Sequence, residues 1–331
     1  MGRERRRELI RQIQELRQSA LLCYITGDRE NLGTRIAPDV IRVFYRHLEA
    51  LGYQPRLDLF LYTRGGDVLT PWRLVHLLRE YTGHLAVLVP FRAYSAGTLI
   101  CLGAEEIVMG KLGELGPIDP SVANAFNPQD PNNPVARIPV SVEDVTSYIT
   151  LSREIAELKS ENSFNEVFIR LAEEVHPLAL GNVYRNYALI RSLARRLLKL
   201  HRQALDEGRL EEIINYLTEK LYAHNYMIPR REALEDIGLS VTMPSPELEK
   251  VIWSLYEDYE SDLQLLEPFN PTTLLQENEN QLEFEAVGGL VESLPCLDAF
   301  VFNGIIKRQP SPQDEPQISV NIIRQGWRRL N

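Results

Sequence analysis

LDLFLYTRGGDVLTPWRLVHLLREYTGHLAVLVPFRAYSAGTLICLGAEEIVMGKLGELGPIDP, residues 57–120, is the stretch whose reading decides the fold. Leu57 to Tyr62 reads as a buried strand that runs into Thr63-Arg64-Gly65-Gly66-Asp67, and a helical period follows from about Pro71 to Tyr81. The unit then repeats, with a strand at Leu85 to Val89, a helix from Ser95 to about Leu102 and a strand at Ile107 to Met109. Apolar strands alternating with helices imply an α/β domain with a largely parallel sheet.

Working outward, the same alternation extends upstream. Arg3 to Gln18 carries Leu9, Ile10, Ile13 and Leu16 on one helical face, Leu21 to Ile25 is a strand closed by Gly27-Asp28, and Pro38 to Leu51 is a helix stopped by Gly52. Downstream, the Pro- and Asn-rich stretch to Pro139 reads as an exposed loop. Helical segments follow at Val142 to Lys159, Phe164 to Val175, Leu178 to Leu205, Glu211 to Ala223, Glu232 to Ile237 and Glu247 to Glu260. Strand-like runs return after Phe284, with Gly288-Gly289 and Asn303-Gly304 as turn signals. The expected organisation is therefore a main domain over 1–241, an acidic helix and linker over 242–281, and a small β-rich unit over 282–331.

Composition narrows the function classes. A net charge of −10 argues against nucleic acid, whose phosphates demand a concentrated basic surface. Thirteen Asp or Glu and only Lys250 lie between Pro244 and Phe300, so this stretch more than accounts for the deficit. No signal peptide opens the chain, because Arg3 to Arg7 lead into a polar helical stretch. The longest apolar region, Leu85 to Ala104, is interrupted by Pro90 and Arg92 and is too short to span a bilayer. Cys23, Cys101 and Cys296 match no metal-ligand spacing and point to a reducing, cytoplasmic setting. No cofactor or metal is implied. The N-terminal arginines read as a solvated helix face, with peripheral contact to an anionic surface as the alternative.

Chemistry concentrates in three elements. Gly65-Gly66 lets backbone N–H groups point into a site unobstructed, as an oxyanion hole needs, although a tight turn uses the same residues. Ser95 starts an apolar helix beside the small residues Ala96 and Gly97, where a hydroxyl meets the positive end of the helix dipole; a serine N-cap is the plainer reading. Asp119, in Gly116-Pro117-Ile118-Asp119-Pro120, either takes part in catalysis or closes a turn.

The order and spacing of these elements resemble the serine dehydrogenase proteinase family of the Clp/crotonase fold, related to signal peptide peptidase A and the proteolytic subunit of Clp protease. The similarity covers roughly Leu21 to Val241, including Ala223-His224-Asn225-Tyr226-Met227-Ile228. The resemblance implies a Clp/crotonase-like fold with a helical extension and a serine peptidase acting on peptide or protein substrates. Ser95 matches the nucleophile position, and Gly65 and Gly66 match the glycines of the oxyanion hole, with the N–H groups of Gly66 and Ala96 as the donors. The Clp subunit's histidine position falls here in residues 116–119, which hold none. Signal peptide peptidases place a lysine before a long helix, and His176 occupies the topologically similar place in this chain. A capping role for His176 stays open, Lys159 and His224 are alternative bases, and Asp119 would orient a partner. A homo-oligomer is expected, with the apolar face of Leu178 to Leu205 as core or interface. Two other readings keep the fold: an acyl-thioester enzyme of crotonase type that stabilises an enolate, and a non-catalytic oligomeric module.

Overall fold

The computed structural model describes residues 2–118, 121–122, 125–130, 133–138, 140–158, 160–221, 223, 225–275, 280–309 and 317–330. They form two compact units, one of residues 1–116, 200–203 and 227–331 and the other of residues 117–199 and 204–226. Compactness thus divides the chain elsewhere than composition does, because the C-terminal strands pair into the first unit's sheet.

The first unit is built on one eight-stranded sheet. Its strands are β1 (Ala20–Thr26), β2 (Leu57–Tyr62), β3 (Leu85–Val89), β5 (Glu106–Met109), β8 (Val241–Thr242), β9 (Gln281–Glu292), β10 (Leu297–Gln309) and β11 (Gln317–Leu330). The order is β8-β5-β3-β2-β1-β9-β10-β11. The first five are parallel, in register Ala20 with Leu57, Leu57 with Leu85, Val87 with Ile107 and Ile107 with Val241. The last three are antiparallel, and β9 joins β1 through Cys23 opposite Glu292. A smaller sheet in the order β7-β6-β4 combines β4 (Arg92–Ala93), β6 (Glu114–Leu115) and β7 (Ile228–Pro229).

Helices cover both faces of the sheet. On one side α1 (Gly2–Arg17) and the helix Pro246–Asp262 bury Ile10, Ile13, Leu255 and Tyr259 against Leu21, Cys23, Phe60 and Val108. On the other lie α2 (Ile41–Leu51), α3 (Thr70–Glu80) and α4 (Ala96–Leu102). There Tyr24 meets Phe44 edge-on, ring centroids 5.2 Å apart. Successive residues of each strand serve opposite layers, which is why β1 and β2 are buried at every position.

Two features correct the sequence expectations. Gly288 and Gly289 lie inside β9 and Asn303 and Gly304 inside β10, at register shifts and not at turns. A Cβ on Gly288 would stand 2.4 Å from the Phe302 ring and 2.6 Å from the Thr34 side chain, so close approach demands glycine there. The hairpin turn falls instead at Ser293 to Cys296, whose backbones exchange bonds of 2.9 and 3.2 Å. Arg6 is not part of a solvated face: it is buried, bonded to Glu292 at 2.7 Å, Asp262 at 2.8 Å and Asp258 at 3.1 Å. That arginine joins the first helix, the Pro246–Asp262 helix and β9 through charges that are costly to bury unpaired. Among the described residues, no helix is long and apolar enough to cross a membrane.

The second unit is mainly helical, with α5 (Val142–Thr150), α6 (Glu161–Glu174), α7 (Pro177–Leu198) and α8 (Glu207–Glu219). Short strands at 129–130 and 133–137 replace part of the expected loop. Helix α7 buries Val183, Ile190, Leu193 and Leu197, whereas amphipathic α6 buries none of its residues. Arg191 of α7 ties it to α8 through Glu211 at 2.7 Å and Glu219 at 2.8 Å.

A buried polar triplet fixes α2 to the C-terminal hairpin. His47 Nδ1 accepts from the Ser293 hydroxyl at 2.8 Å while its Nε2–H donates to Asp298 at 3.0 Å, the arrangement of a neutral imidazole. Burial lowers the His47 pKa from its ordinary 6.5, and Arg46 and Arg329 on Asp298 act in the same sense. A depressed histidine takes up its proton more readily when unfolded, so its contribution is full above 6.5 and is lost as pH falls below it. His47→Gln therefore costs about 1–3 kcal/mol at pH 7 through the lost partners. The gap between wild type and variant, measured by urea unfolding, narrows between pH 7 and 5; a constant gap would contradict a neutral His47.

Candidate active site

The site forms where the loops after β2 and β3 run side by side. Thr63 N–H donates to Arg92 O at 2.9 Å and Tyr94 N–H donates to Thr63 O at 3.1 Å, extending the pairing past the strand ends. The Thr63 hydroxyl is held by Thr26 at 2.7 Å and itself accepts from Gly65 N–H at 3.0 Å. Gly65 O then accepts from Ile36 N–H at 2.9 Å, and Ile36 O accepts from Asp67 N–H at 2.8 Å. Asp67 closes the loop by accepting from Thr70 N–H at 2.8 Å and Leu69 N–H at 3.2 Å, which starts α3. Its carboxylate is thus a helix cap.

This threading requires both glycines. A Cβ on Gly65 would lie 2.9 Å from Ser95 Cβ, and one on Gly66 would lie 2.1 Å from Ile36 O. The two differ in what their amides do. Gly65 N–H is spent on Thr63, while Gly66 N–H has no acceptor among the described residues.

Ser95 occupies the position just before α4 in an unusual conformation, φ 51° and ψ −108°. Gly97 N–H donates to Tyr94 O at 2.8 Å, so Tyr94 to Gly97 form a tight turn of the II′ kind, whose first central position normally belongs to glycine. Its hydroxyl makes no capping bond and is half-buried, so the plain N-cap reading fails for this serine. Gly97 admits the turn, since a Cβ there would stand 2.5 Å from Thr63 Cγ2. The Thr98 hydroxyl lies 2.9 Å from both Ala93 O and Gly116 O and accepts from Gly116 N–H at 3.1 Å, anchoring α4 to the following loop. Sequence reasoning passed over Ile36, Thr63 and Thr98, which act through contacts distant along the chain. Ser-Ala-Gly-Thr at 95–98 was their only local signal.

A charged rim surrounds the two loops. Asp28 accepts from the Tyr62 hydroxyl at 2.8 Å and from Arg92 at 3.3 Å, and Glu114 accepts from the Tyr94 hydroxyl and faces Arg92 at 4.0 Å. Burial and then the Glu114 bond push the Tyr94 hydroxyl up to about 12, so it stays protonated near neutrality. Beneath α4, His201 Nε2–H donates to Leu102 O at 2.8 Å, and burial lowers its pKa.

His176 lies in the second unit as the N-cap of α7. Its Nδ1 accepts from Leu178 N–H at 3.2 Å and its ring stacks on Phe126, centroids 5.1 Å apart. A neutral imidazole whose Nδ1 accepts carries its proton on Nε2, so in this arrangement the free nitrogen is a donor. Asp119, Lys159 and His224 lie outside the described residues. Among the described residues Ser95 Oγ has no hydrogen-bond partner, and no group of three His, Cys, Asp or Glu could hold a metal ion.

Residues 2–146 match the family described as ClpP-like SDH-type serine proteinase. Over these residues the chain is similar to that family. The match contains the Gly65-Gly66 loop, Ser95 and Ala96. Two uncharacterized proteins of Methanocaldococcus jannaschii are similar. One is 27% identical over 233 residues, 70% of this chain and 69% of the relative. The other is 24% identical over 203 residues, 61% of this chain and 56% of the relative, so the chain spans little more than half of it. Two solved structures of the 1510-N membrane-bound stomatin-specific protease also align. A serine-to-alanine mutant is 17% identical with a TM-score of 0.36, covering 62% of this chain and 72% of that one. A lysine-to-alanine mutant in complex with a substrate peptide is 18% identical with a TM-score of 0.37, covering 63% and 71%.

The Ser95 backbone generates a stability prediction. A non-glycine residue in a sparsely populated conformation costs about 1–3 kcal/mol, against about 0.5–1 kcal/mol for the extra chain freedom of glycine. Ser95→Gly should therefore raise unfolding stability by about 1 kcal/mol, while Ser95→Ala, which keeps the Cβ, stays within about 0.5 kcal/mol of wild type. Equal midpoints for the two variants in guanidinium unfolding would contradict strain at this residue.

Proposed function

We propose that the chain is a serine peptidase in which Ser95 Oγ attacks the scissile carbonyl to form an acyl-enzyme that water then resolves. The observation that carries this reading is the uncapped, strained Ser95 held against a glycine loop whose second amide is unspent. Gly66 N–H and Ala96 N–H are the proposed oxyanion donors, and Gly65 is the spacer that lets the loop approach. Such donors are typically worth 10²–10³ in rate, because they meet charge that develops only in the transition state.

For the base we retain His176 on its place ahead of the long helix, with Lys159 and His224 as alternatives and Asp119 as an orienting group. The capping geometry implies that His176 must release Leu178 N–H before it takes the serine proton, because Nδ1 is spent on that bond and a switch to the other tautomer also breaks it. The acyl-thioester reading, which needs a carboxylate for proton transfer, is weakened by Asp67, whose charge is engaged in capping α3. Peptides or proteins are the proposed substrates, and the buried free thiols of Cys23, Cys101 and Cys296 support a reducing, cytoplasmic setting. A homo-oligomer remains our reading, with the interface moved from α7 to α6, whose Phe168 is 52% exposed.

Fluorophosphonate labelling tests the nucleophile: wild type is expected to label and Ser95→Ala to lose all labelling at the same concentration. Equal labelling of both would sink the assignment. The pH dependence of that labelling tests the base. With His176 as the base, His176→Ala flattens that pH dependence; with Lys159 or His224 as the base, the profile survives this substitution.

A further inference from the structure

The loop that brings Gly65 and Gly66 against Ser95 and Ile36 carries an arginine, Arg64, immediately before its glycines. Its charge is only loosely engaged by the rim. Asp28 takes the Tyr62 hydroxyl at 2.8 Å and Arg92 at 3.3 Å. Arg92 is shared between Asp28 and Glu114 and lies 4.2 Å over the Phe91 ring. Arg64 reaches Asp28 only through Nε, at 4.0 Å and so beyond hydrogen-bond distance. Its two terminal nitrogens have no partner among the described residues, and the side chain is 65% exposed. The guanidinium therefore presents its outer fork, the geometry that receives a carboxylate through two parallel bonds.

Position gives this fork a task. Two residues of chain span at most about 7 Å, so Arg64 stands within one side-chain length of the amide proposed to hold the scissile carbonyl. A bound peptide would pass a carboxylate side chain, or its own C-terminal carboxylate, through that space. The net charge of −10 does little against acidic peptides beyond about 8 Å, because physiological salt screens it.

We propose that Arg64 is a specificity-determining residue that selects peptides carrying a carboxylate within about three residues of the scissile bond. This inference rests on the serine peptidase reading. The test uses the full chain and quenched fluorescent peptides in which Glu and Gln are exchanged singly at three positions on each side of the cleaved bond. A second arm compares a free C-terminal carboxylate with its carboxamide, which separates the two sources of the group. Wild type is expected to favour the carboxylate at one position by about tenfold in kcat/KM, with the ratio shrinking as salt is added. Arg64→Gln should bring the ratio to about one, and Arg64→Glu should move the preference to Lys at the same position, an inversion that a purely structural residue cannot produce. Cleavage by wild type with equal rates for Glu and Gln everywhere, and for acid and amide, overturns the proposal while leaving the peptidase reading intact. Absence of cleavage together with absence of Ser95 labelling overturns the peptidase reading instead. The same peptide pairs are then compared by fluorescence anisotropy on Ser95→Ala, where equal dissociation constants overturn the role of Arg64.

Discussion

The candidate site depends on one close backbone approach, that of Gly65-Gly66 to Ile36 on one side and Ser95 on the other. No side chain fits at either glycine, because a Cβ would fall 2.1 Å from Ile36 O or 2.9 Å from Ser95 Cβ. The approach is fastened by Ile36 N–H to Gly65 O and Asp67 N–H to Ile36 O, both interactions of a parallel bridge outside the main sheet. From it follow the start of α3 at Asp67, the unspent amide of Gly66 and the side-by-side course of the loops after β2 and β3. The proposed oxyanion hole is thus a by-product of how two strand ends are spliced.

Buried charges hold the frame that presents this splice. Arg17 bridges Asp58 and Glu106 across β2 and β5, with bonds of 2.8 and 2.6 Å. Arg6 joins the N-terminal helix to Glu292 of β9, and His47 joins α2 to Asp298 of β10. Each pairs residues far apart in sequence, and each leaves a costly buried charge if one partner is lost. The C-terminal strands are consequently part of the main sheet. An acidic composition set that segment apart on paper, but its acids include Glu292 and Asp298, which are tied to arginines of the N-terminal half.

The α/β alternation, the placement of Ser95 at the head of a short apolar helix and the glycine loop opposite it were legible from local patterns alone. Apolar runs of strand length and helical periodicity report which backbone is buried, and that information is local. The Gly288-Gly289 and Asn303-Gly304 pairs misled for the same reason: glycine marks both turns and bulges, and only Phe302 and Thr34 crowding Gly288 separates the two. Arg6 misled because an arginine run on a helix looks solvated until its partners from residues 258, 262 and 292 arrive.

The sequence by itself determined the layered α/β architecture, the family resemblance and the place of Ser95 at a helix start, since these follow from periodicity and from residue types at fixed spacing. Tertiary structure alone decided which glycine keeps its amide free, that Ser95 is strained and makes no capping bond, that Asp67 is a cap and that Arg64 meets Asp28 only loosely, at 4.0 Å. Those properties are set by which distant atom, Thr63 Oγ1, Ile36 O or Asp28, occupies each hydrogen-bonding or ionic position, and no spacing along the chain encodes that competition.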